Sequence, residues 1–565
     1  MKAKKCLALL LVCIMLIMLA ACSGGTIDSG SSVGNGDSAN VSENNAGENN
    51  AGGNNAGGSN AGGSNADENN VGSSGGNNSS DSGVVSGRDT LTVAVSLDGG
   101  TLDAMFMSGD WINVARSYME SLWVFDENFD VEWLLATGID QVSSTQYTVH
   151  LREGVTFSNG NPFTADDVLF TFELSRDNPN RSMTVSELDF EKTRIIDDYT
   201  IDLHYSIPIS GRHVRLSALH ILDAESYDPA EQSLNPVGTG PFVVSEYIIN
   251  SSLNMKVRED YWGEKPAYEN LQFKVLREAS QIVNALVTNT VDISRIPYSD
   301  VEYVESLPGY NVNFFKIGYA TTAMFNVNEA SVFSNVEARY AVCHAIDRQA
   351  ISNIVYNGYA PVTDNPVSMN TEDYNSRFGN LHETYSIGYD PVLARQYAES
   401  SGLVGKEISI MTNGESTYME MAEIIQDGLK EIGVNAVINN YDQATLRSTY
   451  RSDPSFYDIC LYFVANPYMK SYNIMYSSAS LSEIYMAEGA WDGLDRFKEL
   501  GESYVYANNQ ERENILFEMM QIFTKAAPWY ALTDLTNATA ISKDLRGIVQ
   551  YDLGGVMYHK VSFAQ

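Results

Sequence analysis

The chain has 565 residues, 44% of them hydrophobic, and carries 72 acidic against 35 basic side chains for a formal net charge of −37. So acidic a surface repels phosphate backbones and anionic headgroups, which excludes nucleic acid and a charged lipid surface as partners. The length and the 11% aromatic content leave room for two or three units with cores of their own.

The amino terminus reads as an export signal over residues 1–22. Lys2, Lys4 and Lys5 make its positive start, and Leu7 to Leu19 is an apolar run too short for a comfortable bilayer span. It closes on Leu19-Ala20-Ala21-Cys22, which resembles a bacterial lipobox. The resemblance implies diacylglyceryl transfer to the Cys22 thiol and cleavage before it, leaving the protein lipid-anchored at the outer face of the cell membrane, or on the periplasmic side where an outer membrane exists. Two or three acyl chains, at about 0.8 kcal/mol per buried methylene, make such an anchor durable. Residues 23–88 are almost wholly Gly, Asn, Ser, Ala and acid, with a recurring Asn-Asn-Ala-Gly phrase. That composition cannot offset the entropy of ordering, so a disordered tether is expected, reaching about 45 Å as a flexible coil.

From Asp89 onward the pattern becomes that of a folded protein. Leu91, Val93, Val95 and Leu97 alternate with polar residues, which predicts a strand, and Asn113 to Leu122 reads as helical. Tyr147 to Leu151 and Val155 to Phe157 predict short strands, with Asn159-Gly160 as the turn. Thr164 is placed to cap a helix, with Asp166 and Asp167 at its positive end and Val168, Leu169 and Phe172 on its buried face. Helices are predicted over Ser280 to Val287, Val336 to Tyr356 and Tyr418 to Ile432, the last closed by Gly433. Strands are predicted within Val312 to Phe325 and over Ile408 to Met411, Val434 to Ile438 and Tyr457 to Phe463. This alternation implies an α/β fold with a mixed sheet covered by helices. Cys343 and Cys460 lie in apolar stretches and are expected to be small buried hydrophobes.

Several stretches, in order along almost all of residues 89–550, resemble the family of extracellular solute-binding proteins that serve peptide and nickel ABC transporters. Leu151 to Val168 (LREGVTFSNGNPFTADDV) is similar to the family signature. Pro236 to Phe242 (PVGTGPF) and Tyr261 to Pro266 (YWGEKP) follow at the family's spacing. Ala338-Arg339-Tyr340-Ala341 with Ala345-Ile346-Asp347-Arg348, then Tyr389-Asp390-Pro391 and Ala527-Pro528-Trp529, complete the set. The resemblance implies a periplasmic-binding-protein-like α/β fold of the class II (cluster C) type, two lobes and a hinge, plus an inserted domain. Residues 89–122, 235–315 and 525–565 would form one lobe, 123–234 the insert and 316–524 the other lobe. It further implies a monomeric receptor that closes on a peptide-like ligand and delivers it to an ABC permease, with no cofactor. Nickel chelates and oligosaccharides are alternative cargo in this fold, and a surface sensor or adhesin is the alternative role.

The resemblance breaks where peptide binders carry Trp-x-x-Asp-Tyr, whose aspartate pairs with the peptide ammonium. Here the stretch is Phe463 to Tyr468 (FVANPY), with Phe463 in the Trp place and Asn466 in the Asp place. A neutral amide is a weak partner for a buried charge, so either the ligand lacks a free amine or another acid replaces the aspartate. Asp110 in Ser108-Gly109-Asp110-Trp111 is the candidate; Trp111, Tyr319 and Tyr468 are further candidates for the cleft, set against ordinary packing. Other motifs read as structure. Gly238-Thr239-Gly240 lacks the strand–GxGxxG–helix context of a phosphate cradle, so it is expected to be a tight turn. Asp347-Arg348 is expected to be a structural ion pair and Trp262 a core anchor. An enzyme is not expected: the folded part has no Gly-x-Ser-x-Gly or His-Glu-x-x-His, and its scattered histidines suggest no metal site.

Replacing Cys22 by Ala should release the protein to the medium or leave an unprocessed precursor. A mature-sized variant that still partitions into detergent contradicts lipidation.

Overall fold

The computed structural model describes residues 88–564 except 108–110, 129, 207, 209–213, 372–373, 443–444, 447–456, 466–484 and 552–553. Cys22 and residues 23–87 of the expected tether lie outside the described residues; Arg88, its last residue, is instead held to the fold, its Nη2 donating to Asp292 Oδ1 at 2.5 Å. A ten-stranded sheet organises the fold. Its strands, in chain order, are β1 (Thr90–Val95), β2 (Phe242–Ile248), β3 (Ser252–Val257), β4 (Asn270–Val275), β5 (Ile293–Arg295), β6 (Tyr310–Phe325), β7 (Glu407–Thr412), β8 (Asn435–Asn440), β9 (Ile459–Ala465) and β10 (Trp529–Ser542). Across the sheet they run β8-β7-β9-β6-β10-β5-β1-β4-β3-β2.

β1 shows how position overrides pattern. Its alternation predicts one wet face, yet Thr92 and Ala94 are as buried as Leu91 and Val93. Parallel pairing with β4 on one side and β5 on the other makes it an interior strand, and small residues suit its second face.

The two long strands hold the sheet together. β6 pairs antiparallel with β10 from Tyr310↔Ser542 to Met324↔Trp529. The far half of β6 also pairs with β9, whereas the near end of β10 pairs with β5. Register shifts fall between Lys316 and Tyr319 and between Ala320 and Thr322, where Gly318 takes φ +66°. A bulge of this kind bends a strand at the cost of ladder bonds. Gln550 supplies replacements: its amide accepts from Lys316 N at 2.9 Å and donates to Lys316 O at 2.6 Å.

Buried side chains gather on either side of this crossing. One cluster surrounds Phe325, Phe333, Ile425 and Phe523, and another surrounds Leu91, Phe242, Leu271 and Phe273. A third belongs to the stretch from Leu122 to Ile221. There a four-stranded antiparallel sheet (Ala136–Gln141, Gln146–Leu151, Thr200–His204, Arg194–Asp197) is covered by the helix Ala165–Asp177. The helix starts where Thr164 and Asp167 form a capping box, with Thr164 N donating to Asp167 Oδ2 at 2.8 Å. Val155, Phe157, Phe163, Ala165 and Val168 are all buried, so this motif builds core.

Several expectations change. The helix expected over 113–122 covers only Trp111–Ala115, after which Gly240 presses on the chain. A Cβ at Gly240 would fall 2.5 Å from Tyr118 C, which is why this turn carries glycine. The helix expected over 336–356 is two, Val336–Ala345 and Arg348–Val355, because Asp347 caps the second by accepting from Ala350 N at 2.9 Å. Asp347 and Arg348 therefore do not pair with each other; Arg348 meets Asp364 at 3.1 Å. Trp262 is only partly buried; its Nε1 donates to Glu120 Oε2 at 2.8 Å and Arg152 lies 4.4 Å over its ring. Cys343 and Cys460 are buried free thiols.

Arg339 of the Ala338–Ala341 motif is 1% exposed, and burial lowers its pKa to about 10. Its guanidinium donates to Ala526 O at 2.9 Å, Phe333 O at 2.6 Å and Ser334 O at 3.1 Å, tying the last carbonyl of the helix Asn509–Ala526 to two of the 3-10 turn Val332–Ser334. Arg339→Met should cost about 3 kcal/mol or more by stranding them. An unchanged urea midpoint contradicts this role.

Candidate ligand cleft

Parallel strands present their carboxyl ends to loops, and open α/β sheets bind ligands there. β1 and β5 run parallel, and both end at a cavity of about 330 Å³. Its wall includes Ser96 to Gly99 after β1, Ser294 and Arg295 of β5, and Phe315 and Asn537, which face each other across the β6–β10 pair. Trp111, Asn113, Gly554, Gly555 and Tyr558 close it.

Trp111 is 4% exposed and fixed in place, its Nε1 donating to Thr101 O at 3.0 Å. Gly99 makes room for it: a Cβ there would fall 2.2 Å from Trp111 Cδ1. Asp98 is the carboxylate of the wall among the described residues, and it accepts from three donors. Its Oδ1 accepts from Tyr247 Oη at 2.5 Å and Gly100 N at 2.8 Å, and its Oδ2 accepts from Asn250 N. Burial, then the hydrogen bond to Asp98, pushes the Tyr247 phenol well up, so that proton stays on the tyrosine.

Of the residues singled out from sequence, Trp111 lines this cavity, whereas Tyr319 and Phe463 do not. They stack on one another beyond the register shift, ring centroids 5.1 Å apart and 9° from parallel, and Tyr462 continues the stack at 4.5 Å. Asp110, Asn466 and Tyr468 lie outside the described residues. Sequence reasoning missed Asn113, Arg295 and Asn537, which reach one place from three separated segments. The one local signal was polar residues in a strand buried along nearly its whole length, as Asn537 is in β10. No group of histidine, cysteine and acid side chains able to hold a metal occurs among the described residues. None of their helices is long and apolar enough to cross a membrane.

A mixed sheet bent at a crossing pair, with an inserted antiparallel domain, defines a two-lobed periplasmic-binding-protein fold. The family model described as bacterial extracellular solute-binding proteins, family 5 middle, matches residues 130–485. The chain belongs to that family. It is 28% identical over 335 residues to di/tripeptide-binding protein 1 of Pseudomonas aeruginosa, covering 52% of this chain and 60% of that protein. It is 25% identical over 453 residues to heme-binding protein A of Haemophilus influenzae, covering 74% and 81%. In structure it resembles the ABC transporter substrate-binding protein CtaP of Listeria monocytogenes, with a TM-score of 0.73 at 20% identity, covering 85% of this chain and all of that one.

Gly99→Ala should displace the indole of Trp111, lowering the melting temperature by several degrees and red-shifting tryptophan emission. Unaltered emission and melting contradict the close packing assigned to this wall.

Proposed function

We propose that this chain is the cargo-binding receptor of an ABC importer, anchored through Cys22 outside the membrane, and that its cargo is a peptide or peptide-like solute. The observation that carries this reading is the cavity at the carboxyl ends of β1 and β5, set against the paired strands β6 and β10, which in this reading cross between the lobes. A ligand lodged there touches the hinge itself, so contacts made only in the closed state would shift the population toward closure. Family membership and the name of the di/tripeptide-binding relative support peptide as the class.

A second reading, a non-peptide cargo, is favoured by one feature: Asn466 stands where peptide binders are expected to hold an ammonium with aspartate. The heme-binding name of the relative with the longer match points the same way. Titration calorimetry with trialanine, free and N-acetylated, separates the cases. If the ammonium contact has been lost, the free peptide binds weakly and Asn466→Asp strengthens it by about 1.5–3 kcal/mol. If Asp110 has replaced it, the free peptide binds the wild type tightly and Asp110→Asn abolishes this. Affinities indifferent to acetylation and to both substitutions contradict any role for these residues at a ligand terminus.

A further inference from the structure

Where paired strands lose their neighbours, their outward backbone groups need other partners. That situation arises at the register shift of the long pair. β5 pairs with β10 from Thr539 to Ile541, and β9 pairs with β6 from Tyr319 to Phe325. Between those stretches Lys316 stands opposite Thr536. Gln550 takes both backbone groups of Lys316 on one side. On the other, the Tyr298 hydroxyl donates to Thr536 O and accepts from Thr536 N at 3.3 Å. Tyr298 follows closely after β5, and its ring packs against the hydrophobic clusters on both sides of the crossing.

That ring also belongs to an aromatic stack. Tyr359 lies nearly parallel to Phe314, with centroids 4.8 Å apart at 19°, and to Tyr298, at 6.2 Å and 12°. Tyr359 arrives from a distant part of the chain. The helix Arg348–Val355 ends in a tight turn where Asn357 and Gly358 take φ +50° and +79°, and Gly358 N donates to Ser352 O at 2.8 Å. Asn357 Nδ2 donates to Tyr298 O at 3.2 Å, pinning this turn beside the stack. Under the lobe boundaries expected above, Phe314 and Tyr298 fall in one lobe and Tyr359 in the other. Neighbouring residues of a strand face opposite ways, so Phe314 stands behind β6 while Phe315 lines the cavity. Ala538, next to Asn537 on β10, is buried in the cluster against which Phe314 and Tyr359 pack. The stack therefore sits on the side of the crossing away from the cavity.

A rotation about the crossing that brings lobes together over the cavity moves them apart behind it. The rings of the stack are already in contact, so that rotation separates them and loses their attraction. We propose that Tyr359 is a positioning residue for cargo binding: its stack on Phe314 and Tyr298 is a latch behind the hinge that holds the lobes apart and sets how much of the cargo's binding energy goes into closure. The proposal rests on the receptor reading above and adds the residue that tunes it. Apparent affinity is the affinity of the closed state scaled by the fraction of receptor that closes, so a weaker latch means tighter binding. That sign separates a latch from ordinary packing, whose loss weakens the fold and the cleft together.

Small-angle X-ray scattering of the cargo-free mature chain tests it, together with calorimetric titration using trialanine and N-acetyl-trialanine amide. The proteins compared are the wild type, Tyr359→Leu, Phe314→Leu, the double variant and Tyr359→Phe; leucine keeps an apolar side chain in place but removes the ring. Each leucine variant should lower the radius of gyration of the cargo-free chain by about half an ångström or more. Each should also bind whichever probe binds the wild type about threefold or more tightly. The double variant should add little to either single one, because the two rings make one contact, and Tyr359→Phe, which keeps the ring, should match the wild type. A radius unchanged or larger in both leucine variants overturns the latch, as does probe binding that they leave unchanged or weaken. Neither result touches the receptor reading while a probe binds the wild type. If neither probe binds any of the proteins, the peptide reading falls and the difference in scattering alone decides the latch.

Discussion

The pairing of β6 with β10 is the constraint on which the rest of the molecule depends. These strands are the longest in the sheet, 16 and 14 residues, and each begins in one hydrophobic cluster and ends in another. Tyr310 packs with Val291, Ile296 and Ala540, while Phe325 and Tyr530, at the opposite ends, belong to the cluster around Phe333 and Phe523. A continuous ladder would make this crossing rigid. The chain interrupts it with two register shifts and a glycine at positive φ, then restores the lost backbone bonds at Lys316 with the side chain of Gln550. Backbone hydrogen bonds that a bulge removes must be met elsewhere, and a side-chain amide meets them without fixing the geometry as a strand would.

The same crossing explains why the cavity lies where it does. β5 joins the sheet through β10, so the parallel pair β1–β5 is held beside the long β6–β10 pair. Phe315 and Asn537 are register partners on those strands, and both face the cavity. Cargo seated there presses on residues whose backbone torsions any lobe movement would alter. In the proposed receptor, binding and closure are thereby one mechanical event, with no relay needed between distant sites.

Much of the architecture was legible because local signals agreed with tertiary need. Thr164 acts as a cap where the sequence places it, and Gly433 closes the helix that ends at Glu431. Failures came where two readings compete over a few residues. The stretch from Val336 to Tyr356 has helical spacing throughout, yet Asp347 offers a side-chain acceptor that a helix interior cannot use and a helix start can, so the helix divides. The cleft was legible only in part. Trp111 stands on the wall of the cavity, and the Tyr319–Phe463 stack follows from pairing β6 with β9. Asn113 carries no signal and Asn537 only its place in a nearly all-buried strand, since a lone asparagine is ordinary and only the folded chain brings the two to one cavity.

The central claim is that this protein is a cargo receptor whose lobes close about the β6–β10 crossing. Small-angle X-ray scattering on the mature chain tests it most directly, comparing protein stripped by partial unfolding and refolding with the same protein saturated with the cargo that best stabilises it against heat. The account predicts that the radius of gyration falls by about an ångström or more on saturation, and that replacing Gly318 by a β-branched residue blunts the change. Superimposable scattering curves, from a sample shown by calorimetry to be saturated, would contradict it.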